Sequence, residues 1–181
     1  LVTGLNIREM PKMVDFVKQL GVDGVRFQPW HEKLSYISME KLRINKHQIE
    51  NLEESIEEVI LKTKKYNLYT NSYFYLKKVK EYFENKRKIN FNCLAGFSHC
   101  LISWTVDLYF CSFLPPLGNI KKDSFSEIWY SEKASRLRKK IIHGNCPKCW
   151  MSCFIEPSLC FSFVQILNEP IKYLKDITFF S

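Results

Sequence analysis

The residues of this sequence with the clearest chemistry are its seven cysteines, all at or beyond residue 93. Three of them, Cys146, Cys149 and Cys153, fall within CPKCWMSC, which spaces them as C-x2-C-x3-C. The first 20 residues show no signal-peptide pattern, so we expect a cytoplasmic protein with reduced thiols. In that setting, clustered thiols indicate metal binding or redox chemistry more than disulfides.

Spacing alone leaves two kinds of metal site open. Zinc takes four Cys or Cys/His ligands in a closed tetrahedron, and zinc ribbons usually carry two C-x2-C pairs. A [4Fe–4S] cluster also takes four thiolates, and it is wider than one ion, so its ligands can come from more distant positions. Here Cys93 and Cys111 are separated by 17 residues, which slightly favours iron–sulfur over zinc. Seven thiols cannot complete two four-thiolate clusters, so we expect one cluster.

The elements that must position these thiols begin with a strand–helix–strand pattern. LVTGL resembles the end of a strand, and VDGVRFQP resembles a short buried strand that ends at Pro29. Between them the sequence predicts a helix, which Asn6 and Glu9 start with a capping-box-like pattern and Gly21 ends. The predicted buried face of this helix comprises Ile7, Met10, Met13, Val14, Val17 and Leu20. The order of elements predicts a parallel β/α unit.

Two further helices are predicted before the cysteines begin. The first runs from Gln48 to about Lys65, with Ile49, Leu52, Ile56, Val59 and Ile60 on one face. The second starts near Asn71 or Ser72 and places Leu76, Val79, Tyr82 and Phe83 inward. Because the composition changes at residues 89–93, we place a domain boundary there. We therefore divide the chain into residues 1–88, a cysteine-bearing domain at 89–155 and a tail at 156–181.

The cysteine-bearing domain has the pattern of a hairpin followed by two helices. LIS and LYFC are predicted strands around a turn near 104–107, and PPLGN is typical of a turn. Ser124 and Glu127 form a capping-box pattern that opens a helix with Phe125, Ile128 and Trp129 inward. A second helix starts at Ser131 and closes at Gly144.

Composition predicts a globular protein, because 46% of the residues are hydrophobic and 15% are aromatic. No apolar stretch approaches the roughly 18 residues that a membrane span needs. The net charge of +8 raises the question of a nucleic-acid partner. The basic residues are spread over helical stretches, and the run RLRKK at 136–140 predicts a solvated helix face. We therefore expect neither a membrane nor a nucleic-acid partner.

Several short motifs occur in a characteristic order between residues 91 and 153. They are Cys93 followed by Ala95-Gly96, LISWTVDLYFC at 101–111, LGNI at 117–120, SFSEIWYSEKASRLR at 124–138, and CPKCWMSC. Together they resemble the SPASM/twitch domain at the C-terminus of radical SAM enzymes. The unit at 1–30, with LGVDGVRFQPW, is similar to the last units of the radical SAM partial barrel. One departure is Val106, where the family hairpin usually has glycine.

The resemblance implies an α/β fold, α+β overall, in which terminal β/α units of a partial (β/α) barrel precede a small SPASM/twitch domain with a β-hairpin. It also implies one auxiliary [4Fe–4S] cluster near the substrate. The C-x3-C-x2-C motif of the catalytic cluster is absent. With a start in mid-strand, this predicts an N-terminally truncated chain that is inactive alone. In the intact protein, S-adenosylmethionine would be cleaved to a 5′-deoxyadenosyl radical that attacks a peptide or small-molecule substrate, with electrons from a donor.

The candidate metal ligands follow from the cysteine spacing and from the family resemblance. They are Cys93, Cys111, Cys146, Cys149 and Cys153. A C-x2-C pair is itself a ligand signature, and Cys93 with Cys111 matches the ligand pattern of a twitch-like single cluster. Cys153 is either a fourth ligand or a thiol beside the ligands, whereas we expect Cys100 and Cys160 to be buried. Which of Cys100, Cys153 and Cys160 joins the set stays open. The alternative function is a basic zinc-binding module that contacts nucleic acid or a protein partner.

Overall fold

The computed structural model describes residues 1–31, 40–85, 91–159 and 161, which belong to two compact units. Unit 1 contains Leu1–Ile89, Cys149–Ser152 and Ser162–Ser181, and unit 2 contains Asn90–Lys148 and Cys153–Phe161. The helices are α1 (Met10–Gln19), α2 (Ile49–Tyr66), α3 (Tyr73–Asn85), α4 (Phe125–Trp129), α5 (Glu132–Ile142) and α6 (Ser152–Leu159). The strands are β1 (Leu101–Ile102), β2 (Asp107–Tyr109) and β3 (Gly118–Asn119). Within the described ranges, no helix is both long and apolar enough to cross a membrane.

Helix α1 buries a narrower face than the sequence predicts. Met10, Val14 and Val17 are buried, but Met13 is 45% and Leu20 59% exposed. The buried side chains follow an i, i+4, i+7 stripe, and the two others lie outside it. The predicted cap at Asn6 is also wrong, since no side-chain cap hydrogen bond forms there. A 3-10 turn at Ile7–Glu9 leads into α1 instead.

Helices α2 and α3 confirm the predicted pattern. Ile49, Leu52, Ile56 and Val59 are buried on α2, whereas Ile60 is half-buried. In α3, Leu76, Val79 and Tyr82 are buried and Phe83 is half-buried. Helix α2 ends at Asn67, whose φ of 53° is left-handed, a conformation that asparagine tolerates well. Helix α2 packs against both α1 and α3.

The segments predicted as parallel strands pair only through single bridges. Val2 forms a parallel bridge with Pro29, and Gly24 forms one with Tyr69. At the second bridge, a Cβ on Gly24 would lie 2.2 Å from the Tyr69 carbonyl oxygen, so only glycine permits this approach. The parallel orientation agrees with the β/α prediction, but the bridges are too short to count as strands. The described residues are thus mostly helical with one small antiparallel sheet.

Unit 2 contains that three-stranded antiparallel sheet, in the order β1-β2-β3. The predicted hairpin is confirmed, with Leu101 opposite Tyr109. Part of the predicted turn PPLGN instead forms β3, where Gly118 pairs with Leu108. Val106 adopts a left-handed φ of 66° in the hairpin turn. A β-branched residue is strained in that conformation.

The helices of unit 2 begin at the predicted caps. Ser124 and Glu127 form a complete capping box at α4, and the Ser131 side chain accepts the Ala134 N–H at the start of α5. Ile128 is buried as predicted, but Phe125 is 46% exposed. Helix α6 was not predicted, because Pro157 lies inside it and proline normally argues against a helix interior.

Candidate metal centre

None of the six cysteines that the structure describes forms a disulfide. Cys111 follows β2 and is buried, Cys93 and Cys146 are half-buried, and Cys153 is exposed at the start of α6. The predicted buried position of Cys160 lies outside the described residues. Among the described side chains, no three His, Cys, Asp or Glu residues are grouped so that they could hold a metal ion.

The charges of Cys146 and Cys153 nevertheless act on two other thiols of unit 2, Cys93 and Cys111. Burial is the main cause that raises the pKa of Cys93, and Cys146 and Cys153 raise it further. Burial also raises the pKa of Cys111 to about 11, with further contributions from Cys93, Cys146 and Cys153. Cys93, Cys111, Cys146 and Cys153 are therefore called the four-thiol group below.

Backbone amides donate hydrogen bonds to sulfurs of this group. The Phe113 N–H donates to Cys111 Sγ at 3.4 Å, and the Ala95 N–H lowers the pKa of Cys93 by the same kind of bond. Amides at the start of α6 do so for Cys153. These bonds favour the thiolate form, which is the form that binds metal.

Ser158 on α6 ties that helix to the segment carrying Cys93. Its side chain is 1% exposed. Its hydroxyl oxygen accepts the Leu94 N–H at 2.9 Å and donates to the Phe154 carbonyl at 2.7 Å. A hydrogen bond from Ser158 also lowers the pKa of Cys93. Because a hydroxyl carries one proton, the Phe154 carbonyl and the Cys93 thiolate compete for it.

In the loop after α5, two residues with a left-handed backbone conformation flank Cys146. Gly144 has a φ of 66° and ends the helix as predicted, and Lys148 has a φ of 49° between the two cysteines of the C-x2-C motif. The Asn145 N–H donates to the Lys140 carbonyl at 2.9 Å, which fixes the chain just before Cys146. A non-glycine residue in this conformation costs about 1–3 kcal/mol and often marks a functional loop.

Cys149 and Cys100 differ from the four-thiol group in their surroundings. Cys149 belongs to unit 1, where burial first, and the Cys149 thiolate second, raise the pKa of Tyr82. The neighbouring Trp150 is buried and stacks on Tyr75 at a centroid distance of 5.6 Å. Cys100 is half-buried rather than fully buried, and burial raises its pKa.

One residue near the site, Arg138, was not predicted from the sequence. Arg138 belongs to the run predicted as a solvated helix face, yet its guanidinium lies 4.6 Å from the Trp129 ring centroid. Helical periodicity could have identified it, because Ala134, Arg138 and Ile141 follow an i, i+4, i+7 spacing. Ala134 and Ile141 are both buried.

Comparison with known protein families finds one match. Residues 93–153 match SPASM, which is described as an iron-sulfur cluster-binding domain. The matched region begins at Cys93 and ends at Cys153, and it contains the whole four-thiol group. This part of the chain is therefore a SPASM domain, as the sequence motifs predicted. Neither a curated protein nor a solved structure matches the chain.

Proposed function

We propose that the four-thiol group binds one auxiliary [4Fe–4S] cluster. The observation that carries this proposal is the match of residues 93–153 to the SPASM iron-sulfur cluster-binding domain. The four thiols lie within that region, and the charges of Cys146 and Cys153 act on Cys93 and Cys111. A [4Fe–4S] cluster takes four cysteine thiolates, so the donor set has the right number and chemistry. The amide hydrogen bonds to Cys93 and Cys111 are of the kind that tunes cluster potential.

Four thiolates would leave no iron open to a substrate. We therefore infer that the cluster acts in electron transfer or in stabilising the domain, and not as a substrate-binding centre. Cys149 is the remaining candidate ligand from the sequence. Our proposal assigns the fourth position to Cys153, because Cys93 and Cys111 both respond to its charge.

The wider function that fits this domain is that of a radical SAM oxidoreductase or maturase. In that proposal the chain is the C-terminal portion, and S-adenosylmethionine and the catalytic cluster bind to residues upstream of it. The substrate is a peptide or a small molecule, and an electron donor protein supplies electrons. The support is the SPASM match, together with the parallel bridges of unit 1, whose orientation agrees with β/α units.

A cysteine scan tests the ligand assignment. Each of the six described cysteines is changed to serine, and the variants are reconstituted anaerobically with iron and sulfide. We expect Cys93→Ser, Cys111→Ser, Cys146→Ser and Cys153→Ser to lose the brown visible absorption, and Cys100→Ser and Cys149→Ser to keep it. Loss with Cys149→Ser and retention with Cys153→Ser would exchange their roles and contradict our assignment.

A separate assay tests the role of this part of the chain. Residues 1–181 lack the C-x3-C-x2-C motif, so the reconstituted and reduced protein should form no 5′-deoxyadenosine from S-adenosylmethionine. Formation above a no-protein control would contradict the proposal that the catalytic cluster binds outside these residues.

The zinc-binding alternative predicts a colourless protein with bound zinc.

A further inference from the structure

Arg138 makes contacts that a solvated arginine would not make. Its guanidinium lies 4.6 Å from the Trp129 ring centroid, 4.7 Å from that of Phe110 and 5.8 Å from that of Phe97. Its Nε–H donates to the Gly96 carbonyl at 2.6 Å. These contacts fix both the plane and the direction of the side chain, because ring faces attract a guanidinium and the hydrogen bond orients it.

Apart from Trp129 on α4, the residues that Arg138 touches belong to the two segments that carry Cys93 and Cys111. Gly96 comes three residues after Cys93, and Phe110 immediately precedes Cys111. The two segments also touch directly, since a Cβ on Gly96 would lie 2.6 Å from the Phe110 ring. Arg138 therefore contacts both sides of the place where the two ligand segments meet.

The turn that Arg138 holds is fixed by its own backbone. The Gly96 N–H donates to the His99 carbonyl at 2.8 Å, and the Phe97 N–H donates to the Leu94 carbonyl at 2.9 Å. The Gly96 carbonyl accepts from Arg138. With its N–H and carbonyl both engaged, Gly96 keeps the left-handed φ of 81° that lets the Phe110 ring approach.

This placement of the guanidinium has a cost. Its Nη2 is buried and finds no hydrogen-bond partner among the described residues, and a buried donor left unsatisfied destabilises the fold. Arg136, two residues away on the same helix, shows the ordinary alternative, because it is exposed and pairs with Glu132 at 2.8 Å. An apolar side chain would fill the space beside the rings without an orphaned nitrogen, but it would not hold the Gly96 carbonyl.

We propose that Arg138 is a positioning residue for the cluster, which holds the Cys93 and Cys111 segments at a fixed separation through Gly96 and Phe110. This inference rests on the proposed function of the four-thiol group. The guanidinium acts through packing and one hydrogen bond, so a lysine cannot replace it, because lysine keeps the charge and loses the planar fork.

The test compares matched substitutions at two arginines of α5 in the full chain. Arg138→Lys and Arg138→Met are paired with Arg136→Lys and Arg136→Met. The readouts are circular dichroism of the reconstituted protein, the electron paramagnetic resonance spectrum of the reduced cluster and the rate of iron loss to a chelator. We expect both Arg138 variants to fold, to change the spectrum and to lose iron roughly 10–100-fold faster, the usual effect of residues that orient metal ligands. The Arg136 variants should match the parent.

Three results would overturn the inference. Arg138 variants that match the parent in spectrum and iron loss would show that the side chain orients nothing. Full retention by Arg138→Lys with loss in Arg138→Met would assign the effect to charge. Unfolding of the reconstituted protein by both substitutions would make Arg138 merely structural. If the parent and the Arg136 variants themselves take up no iron, the proposed function fails and this inference falls with it.

Discussion

The helices of unit 1 completely bury Val14, Leu52 and Val59, whereas the longest strand of unit 2 has three residues. In unit 1, long amphipathic helices pack on one another, so burial of apolar side chains stabilises the fold. In unit 2, short elements are joined by turns, by a capping box at Ser124 and by a side-chain cap at Ser131. We therefore expect unit 1 to fold without a cofactor and unit 2 to depend on one.

The thiols are a second difference between unit 1 and unit 2. Burial raises the pKa of Cys93 and Cys111, so in the absence of metal these thiols stay protonated. Metal binding releases those protons and links the segments that carry the thiols. Small domains with limited cores commonly rely on such links.

The largest expected effect comes from removing a ligand. Cys111→Ala should abolish the cluster and open unit 2 to protease, because structural metal contributes roughly 10–16 kcal/mol apparent in small zinc peptides. Helices α2 and α3 should stay intact. Limited proteolysis under anaerobic conditions measures this, with Cys100→Ala as the control. Equal resistance of both variants would break the comparison between the units.

A core substitution in unit 1 should give the next largest effect. Leu52→Ala removes a fully buried side chain from α2, so we expect a loss of about 2–5 kcal/mol in the free energy of unfolding. Leu61→Ala on the same helix is the control, because Leu61 is 66% exposed. Urea denaturation followed by circular dichroism should give the same loss with and without metal. A metal-dependent loss would argue against an independent unit 1.

Gly96→Ala tests the close contact in unit 2. The added Cβ meets the Phe110 ring at 2.6 Å in a backbone with φ of 81°. Strain of this kind costs about 1–3 kcal/mol, and overpacking adds a similar amount. Gly21→Ala is a matched control, since Gly21 has a φ of 69° and open space around its Cβ. Thermal melts should show a larger drop for Gly96→Ala, and equal drops would show that the contact does not matter.

Val106→Gly should give the smallest effect, and it should be stabilising. A left-handed backbone costs an L-residue roughly 1–2 kcal/mol, which glycine avoids, although its greater freedom when unfolded takes back about half of that gain. Val106→Ala keeps a Cβ and should gain nothing. A melting temperature that falls with Val106→Gly would show that the side chain contributes more than the strain removes.

The regular parts of both units follow from the sequence, because they depend on patterns within one element. The faces of α2 and α3 and the caps at Ser124 and Ser131 are of this kind. Helix α6 and strand β3 were missed, since tertiary contacts override an internal proline in one and a turn-like composition in the other. Exposure of Met13, Leu20 and Phe125 depends on which neighbours cover each helix, and no single-element pattern contains that information.

The candidate site was only partly predictable for the same reason. Cysteine spacing identified the thiols, and motif order identified the SPASM domain. Selection of Cys153 as the fourth member of the group needed the three-dimensional placement of α6. Arg138 was hidden within a basic run, where charge obscured a position on the buried face of α5.

Iron and sulfide content is the most direct test of the central claim that the four-thiol group holds one cluster. The full chain is purified and reconstituted without oxygen, in the presence of equal iron and zinc, and then freed of unbound metal. A four-thiolate cubane requires about four iron and four sulfide per chain, which is the result that we predict. One zinc per chain with no iron or sulfide would contradict it and favour the zinc-binding alternative.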